Sequence, residues 1–194
     1  MTEPAGLEAD RRWLLEAISL SRRCPPSRTA YSVGALLVAA DGTLLSTGYS
    51  RETGPGEHAE EIALAKLGLP GAAAPELTSA TLYSSLEPCA VRASRPVPCA
   101  DLVIASGVGR VVIAWTEPPV LAPGGGAGRL RAAGIEVVEI PELAAAAREV
   151  DLNDVDFAHV HELYKRLPFT LFLAGCDSQA GGGRELGIAL VIVG

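Results

Sequence analysis

With 194 residues, 48% of them hydrophobic and 20% charged, the chain has the composition of a soluble globular protein and the length for one domain with a sizeable core. A formal net charge of −7 argues against a broad phosphate-tracking surface, and so against nucleic acid as a partner, but leaves room for a small anionic substrate held by a few arginines. Aromatic residues make up only 5%, so Ala, Val and Leu carry the packing, which favours helices laid on a sheet.

Residues 9–23 predict an amphipathic helix, with Trp13, Leu14, Ala17, Ile18 and Leu20 largely on one side and Pro25-Pro26 ending it. The apolar run 33–40, the Asp41-Gly42 turn and residues 44–49 predict an antiparallel hairpin. Residues 57–67 follow as a helix stopped by Gly68 and Pro70, and 81–86 as a strand. Pro88 then reads as the first residue of another helix, where its missing N–H costs nothing. Strands at 110–115 and 135–140 alternate with helices at 128–133 and 142–150. That alternation predicts parallel pairing in the second half of the sheet. The expected architecture is a three-layer α/β/α domain over residues 1–150, with a mixed five-stranded sheet. Residues 151–194 form a C-terminal extension, in which two apolar runs, 167–174 and 186–193, flank Gly181-Gly182-Gly183 and suggest a hairpin. An apolar edge of that kind favours pairing within an oligomer.

The N-terminal segment is polar and carries no signal-peptide pattern, and no apolar run is long enough to span a bilayer. The expected location is the cytoplasm, with no membrane partner. Four cysteines in such a chain read as metal ligands or plain thiols, not as a disulfide framework. Cys24 and Cys176 have no motif around them. Cys89 and Cys99 do.

His58-Ala59-Glu60, followed by Pro88-Cys89 and then Cys99, supplies one imidazole, two thiols and a carboxylate that need not bind metal. Three N/S ligands leave the fourth position of a tetrahedral Zn²⁺ open, which is the arrangement of a catalytic zinc site. A closed structural site needs a fourth ligand, and the only other histidines, His159 and His161, lie far along the chain in the extension. His58 and Cys89 are both expected at helix starts, where the unpaired N–H groups favour thiolate over thiol. Glu60, two residues after His58, is then the candidate catalytic acid/base, moving a proton from the attacking water to a substrate ring nitrogen and afterwards to the departing amine.

These residues resemble the cytidine-deaminase-like superfamily of zinc deaminases, which carry His-x-Glu followed by Pro-Cys-x-x-Cys. Val33-Gly34-Ala35, Gly48-Tyr49, His58-Ala59-Glu60 and Leu86-Glu87-Pro88-Cys89 occur in the superfamily's order. Within it, the chain is most similar to the pyrimidine deaminase of riboflavin biosynthesis. Arg95-Pro96-Val97-Pro98-Cys99-Ala100-Asp101 and Arg110-Val111-Val112-Ile113-Ala114 carry that likeness, together with nine residues, 90–98, between the cysteines. The resemblance implies a hydrolytic deaminase of an aminopyrimidine nucleotide, with zinc on His58, Cys89 and Cys99, Glu60 as acid/base, and a homo-oligomer of two or four subunits.

Two features depart from that branch. The inter-cysteine loop begins Ala90-Val91-Arg92-Ala93-Ser94, where His and Gly are expected, and the first strand is preceded by Tyr31-Ser32, not Asn-Pro. Arg92, Ser94 and Arg95 are candidates for a substrate phosphate, or they belong to a solvated loop. Arg51 and Glu52 are candidates for the pocket wall. Trp115 is a candidate to stack on a base or to pack half-buried, and Glu117 follows it. Two other readings stay open: a deaminase of a cytosine nucleoside, deoxynucleotide or free base, and a catalytically silent zinc-bound scaffold.

Overall fold

The structure, a computed structural model, describes residues 5–27, 30–68, 75–92, 94–116, 125–152, 172–175 and 188–191. The chain divides into two compact units, Met1–Asp154 and Val155–Gly194. In the first, helix α1 (Ala5–Ser21) precedes strands β1 (Gly34–Val38) and β2 (Leu44–Tyr49), helix α2 (Ala59–Ala65) and strand β3 (Thr81–Ser84). Helix α3 (Cys99–Ser106), β4 (Arg110–Ile113), α4 (Gly126–Ala132), β5 (Glu136–Glu139) and α5 (Ala144–Leu152) complete it.

The five strands form one sheet in the order β2-β1-β3-β4-β5. The Asp41-Gly42 turn closes β1 and β2 into the expected antiparallel hairpin, and Asp41 accepts the Thr43 N–H at 2.9 Å. β1 also pairs antiparallel with β3, while β3-β4 and β4-β5 are parallel. The mixed sheet and its helices on both faces match the sequence reading. Every residue of β1 is buried, because successive side chains leave opposite faces of a strand and here both faces are covered. Ala35 and Leu37 join Leu82, Val111 and Ile113 under α2, α3 and α4. Leu36 and Val38 join Tyr83, Val112 and Ala114 under α1 and α5.

Two contacts fix how these layers meet. Asp10 of α1, 4% exposed, accepts both Arg110 Nη1 and Nη2 of β4 at 2.8 and 2.7 Å, and the Tyr83 hydroxyl of β3 at 2.9 Å. On the other face α2 lies so close to β2 that a Cβ on Gly48 would collide with the carbonyl oxygen of Ala59. Glycine at position 48 therefore brings the helix that begins after His58 against the sheet.

One expected element starts elsewhere. Pro88 does not open a helix: the described residues of 87–98 are irregular, and α3 starts eleven residues later, at Cys99, with Pro98 as its N-cap. A proline tolerates the first helical position but does not compel a helix, and the loop holding Arg92 and Ser94 with Pro96 and Pro98 replaces the expected first turns.

In the second unit, β6 (Phe172–Gly175) pairs antiparallel with β7 (Ile188–Val191). The Gly181-Gly182-Gly183 turn of the expected hairpin lies outside the described residues.

Candidate active site

The parallel strands β3 and β4 and the antiparallel β1 bring Ser84, Ile113 and Gly34 to one end of the sheet, through Ala35 opposite Ser84 and Ser84 opposite Ile113. Chain segments leaving that end build a cavity of about 310 Å³ lined by, among others, Tyr31, Arg51, His58, Glu60, Cys89 and Arg92. Such crevices beyond strand ends are the usual ligand sites of α/β sheets.

His58 is the N-cap of α2 with extended backbone (φ −102, ψ 155), so its side chain leaves the helix at its first turn. Its Nδ1 lies 3.6 Å from Cys89 Sγ and 3.4 Å from Cys99 Sγ. The three donor atoms all lie within 4.8 Å of one another. A tetrahedral zinc with Zn–N near 2.0 Å and Zn–S near 2.3 Å separates its N and S donors by about 3.6 Å. The donor set therefore has both the chemistry and the spacing for zinc.

The two cysteines differ in setting. Cys99, fully buried, is the first residue of α3, and its own N–H donates to Cys89 Sγ at 3.4 Å. An orphan helix N–H thus points at the Cys89 sulfur although Cys89 itself is in a loop. A hydrogen bond from the Cys99 thiol, reinforced by His58, lowers the Cys89 pKa to about 4 against the cost of burial. The Cys99 thiol is pushed up, by that same bond to Cys89 and by its burial. A metal ion bound by both sulfurs requires both to be deprotonated. Burial pulls the His58 pKa down, but contact with Cys89 and the Glu60 charge turn the net shift upward.

Glu60, one residue into α2 and 3% exposed, lines the same cavity. Burial raises its pKa, partly offset by His58. Ser84, the last residue of β3, donates its hydroxyl to Glu60 Oε1 at 3.0 Å. A buried carboxyl with a raised pKa, next to metal-type ligands, is suited to take and return a proton.

The expected substrate contacts separate into distinct groups. Arg51 lines the cavity, but its guanidinium donates to the carbonyls of Pro25 (2.7 Å) and Tyr31 (2.9 Å) and to Ser32 Oγ (3.0 Å), so it ties Pro25 to Tyr31 and Ser32. Its φ of +62 is left-handed, an uncommon conformation for a side chain of this size. The Arg92 side chain is 3% exposed and is held by Glu61. Ser94 lines the cavity. Arg95 is 45% exposed and pairs with Glu57 and Glu61 at 3.6 and 3.4 Å. Trp115 is not among the cavity-lining residues; its ring meets Tyr31 edge-on at 5.4 Å, with Arg148 5.2 Å from its centre. Glu52 accepts the Tyr49 N–H and Lys66 Nζ at 3.3 and 2.7 Å. Glu117 lies outside the described residues.

Three contributors escaped the sequence reading. Ser84 orients Glu60, Glu61 anchors Arg92, and Glu87 caps α4 by accepting the Ala127 N–H at 2.6 Å. Glu87 was visible beside Pro88, and only the packing of α4 reveals what it holds. That packing is close: a Cβ on Gly126 would overlap the Pro88 carbonyl.

Comparison with known proteins places this geometry. The family model described as "Cytidine and deoxycytidylate deaminase zinc-binding region" matches residues 7–115. The diaminohydroxyphosphoribosylamino-pyrimidine deaminase of Schizosaccharomyces pombe is 38% identical over 127 residues, 66% of this chain and 31% of that protein. The riboflavin biosynthesis protein RibD of Aquifex aeolicus is 37% identical over 158 residues, 79% of this chain and 40% of that protein. The chain thus spans well under half the length of these curated relatives. Among solved structures, the Rib2 deaminase of Aspergillus oryzae in complex with DARIPP superposes with a TM-score of 0.65 at 25% identity, covering 82% of this chain and all of that one. Acinetobacter baumannii RibD superposes with a TM-score of 0.64 at 31% identity, over 76% of this chain and 39% of that one. The matched region, 7–115, contains His58, Glu60, Cys89 and Cys99, and the chain belongs to the cytidine and deoxycytidylate deaminase zinc-binding family.

Proposed function

We propose that this protein is a zinc-dependent hydrolytic deaminase of riboflavin biosynthesis, releasing ammonia from a diaminohydroxyphosphoribosylaminopyrimidine. The observation that carries the proposal is the placement of Glu60, buried and held by Ser84, in the wall of the cavity that also contains His58 and Cys89. The names of the Schizosaccharomyces and Aquifex relatives support the substrate class.

In this reading His58, Cys89 and Cys99 hold the zinc, which supplies Lewis acidity to the attacking water. Glu60 accepts a proton from that water and passes it to the substrate ring nitrogen. The water oxygen bonds to the amino-bearing carbon, Glu60 then takes the remaining proton of that new hydroxyl and delivers it to the amine, and the C–N bond breaks with the electron pair leaving on ammonia and a ring carbonyl left behind. The Ser84 hydrogen bond keeps the carboxylate in one orientation through both transfers. Ser94 at the cavity wall and the exposed Arg95 next to it meet the phosphate. Exposed ion pairs such as those of Arg95 with Glu57 and Glu61 contribute only about 0–1 kcal/mol, so a phosphate can replace them.

A second reading, a deaminase of an unphosphorylated nucleoside or base, draws support from Arg51 and Arg92, two cavity-lining guanidiniums already engaged by protein acceptors. Ammonia release from the phosphorylated pyrimidine, its dephosphorylated form, cytidine and cytosine separates the two. Under the first reading Arg95→Ala raises KM for the phosphorylated substrate alone. Equal turnover with and without phosphate overturns it.

The reading of Cys89 and Cys99 as metal ligands fits a reducing compartment, and we place the enzyme in the cytoplasm. Among the described residues, no helix is long and apolar enough to cross a membrane. We also propose a homo-oligomer, which the mass in solution measures.

A further inference from the structure

Arg92 has a role that neither the family motif nor a phosphate contact explains. It sits in the loop between the two cysteines, next to the exposed Val91, yet its side chain is 3% exposed. Its guanidinium touches three separate segments. Nη2 donates to Glu61 Oε2 of α2 at 2.8 Å and to the Gly56 carbonyl, two residues before His58, at 3.2 Å. Nη1 donates to Cys99 Sγ at 3.6 Å. Nε is buried with no hydrogen-bond partner.

A buried donor left unpaired costs about 1–3 kcal/mol, and such orphans in a folded protein call for an explanation. Here the side chain forgoes a bond at Nε while its two terminal nitrogens reach a carboxylate, a carbonyl and a thiol sulfur together. Glu61 and Gly56 fix the plane of the guanidinium, and that plane delivers Nη1 to the sulfur. A short, flexible ammonium could not span the three acceptors in one geometry.

We propose that Arg92 is a positioning residue for the metal site: it orients the Cys99 sulfur through an N–H···S hydrogen bond and offsets its negative charge, and it does not bind substrate. This rests on the zinc reading above. Partners that hold a ligand from outside typically contribute 10–100-fold to metal affinity.

The test uses the full 194-residue chain loaded with Co²⁺, whose sulfur-to-metal charge-transfer absorption reports the electron density on the thiolates. In Arg92→Met the hydrogen bond to sulfur is lost, so the band moves to longer wavelength, and zinc affinity measured against a chromophoric chelator falls by about 10–100-fold. Arg92→Lys keeps the charge and gives intermediate values. Glu61→Gln leaves Nη1 and the sulfur in place, weakens the anchor, and lowers affinity with a smaller band shift. Should Arg92→Met not fold, the ordering of wild type, Glu61→Gln and Arg92→Lys in both measurements carries the test. A charge-transfer band and affinity unchanged in Arg92→Met and Arg92→Lys, with KM raised for phosphorylated substrate, overturns the proposal in favour of a substrate contact. A wild-type chain that binds neither Co²⁺ nor Zn²⁺ overturns the metal site itself, and with it this role.

Discussion

The Ser84 hydroxyl donates to Glu60 Oε1 at 3.0 Å, and both residues are buried. The end of β3 thereby fixes a carboxylate carried on a different element, α2. A free carboxylate at a cavity wall samples several rotamers, and one held by a strand residue presents its proton in one direction. In the proposed mechanism, removing the group that carries the proton differs from removing the one that aims it. Glu60→Gln is expected to retain zinc and lose about 10²–10⁴-fold in kcat, the usual contribution of a general acid/base. Ser84→Ala is expected to retain zinc and lose only about tenfold, as befits one hydrogen bond to a charged group. Metal content and initial rates of ammonia release, measured on both variants, check the pair.

The cysteine turn depends on a glycine in another helix. A Cβ at position 126 would overlap the Pro88 carbonyl, whereas one at 128, in the same helix, meets nothing within 4 Å. Gly126→Ala is therefore expected to displace Pro88-Cys89, lowering both the melting temperature and the zinc bound per chain. Gly128→Ala is expected to raise stability by about 0.5–1 kcal/mol, since alanine costs less helix entropy than glycine. Thermal melts together with zinc content separate the two substitutions, although both add one methyl group to α4.

Alkaline stability reports on the opposite face of the sheet. Burial, and then the hydrogen bond to Asp10, push the Tyr83 pKa from 10.0 to about 12. Above pH 10 the unfolded chain loses this proton and the folded chain keeps it, so stability falls as pH rises towards 12. Below pH 10 the contribution is fully present. Tyr83→Phe is expected to be less stable at neutral pH and to show a shallower decline between pH 10 and 12, read from urea midpoints across that range.

Much of this was legible in the sequence because it rests on local chemistry. Asp41-Gly42 between two apolar runs determines a hairpin whatever surrounds it, and the β/α alternation after residue 80 determines parallel pairing. The His58, Cys89 and Cys99 cluster was legible because metal binding demands those residue types, and the structure brings the three together. The start of α3 was misplaced because Pro88 is compatible with a helix N-terminus without requiring one, and nothing local distinguishes it from Pro98. The partners of the arginines were not legible at all. Whether Arg92 meets solvent, a phosphate or a sulfur depends on where Glu61, Gly56 and Cys99 fall in space, across sequence separations of 31, 36 and 7 residues. Arg51 likewise finds its acceptors 19–26 residues upstream, in a loop with no motif of its own.

The proposed reaction needs a metal held by His58, Cys89 and Cys99, working with Glu60 on a phosphorylated aminopyrimidine. Ammonia release from diaminohydroxyphosphoribosylaminopyrimidine by the zinc-loaded chain, repeated after chelation and again after zinc is restored, tests it most directly. The expected result is one ammonia per substrate consumed, loss of release on chelation and recovery with zinc. No ammonia from this substrate, or release that persists at full rate after zinc is removed, would contradict it.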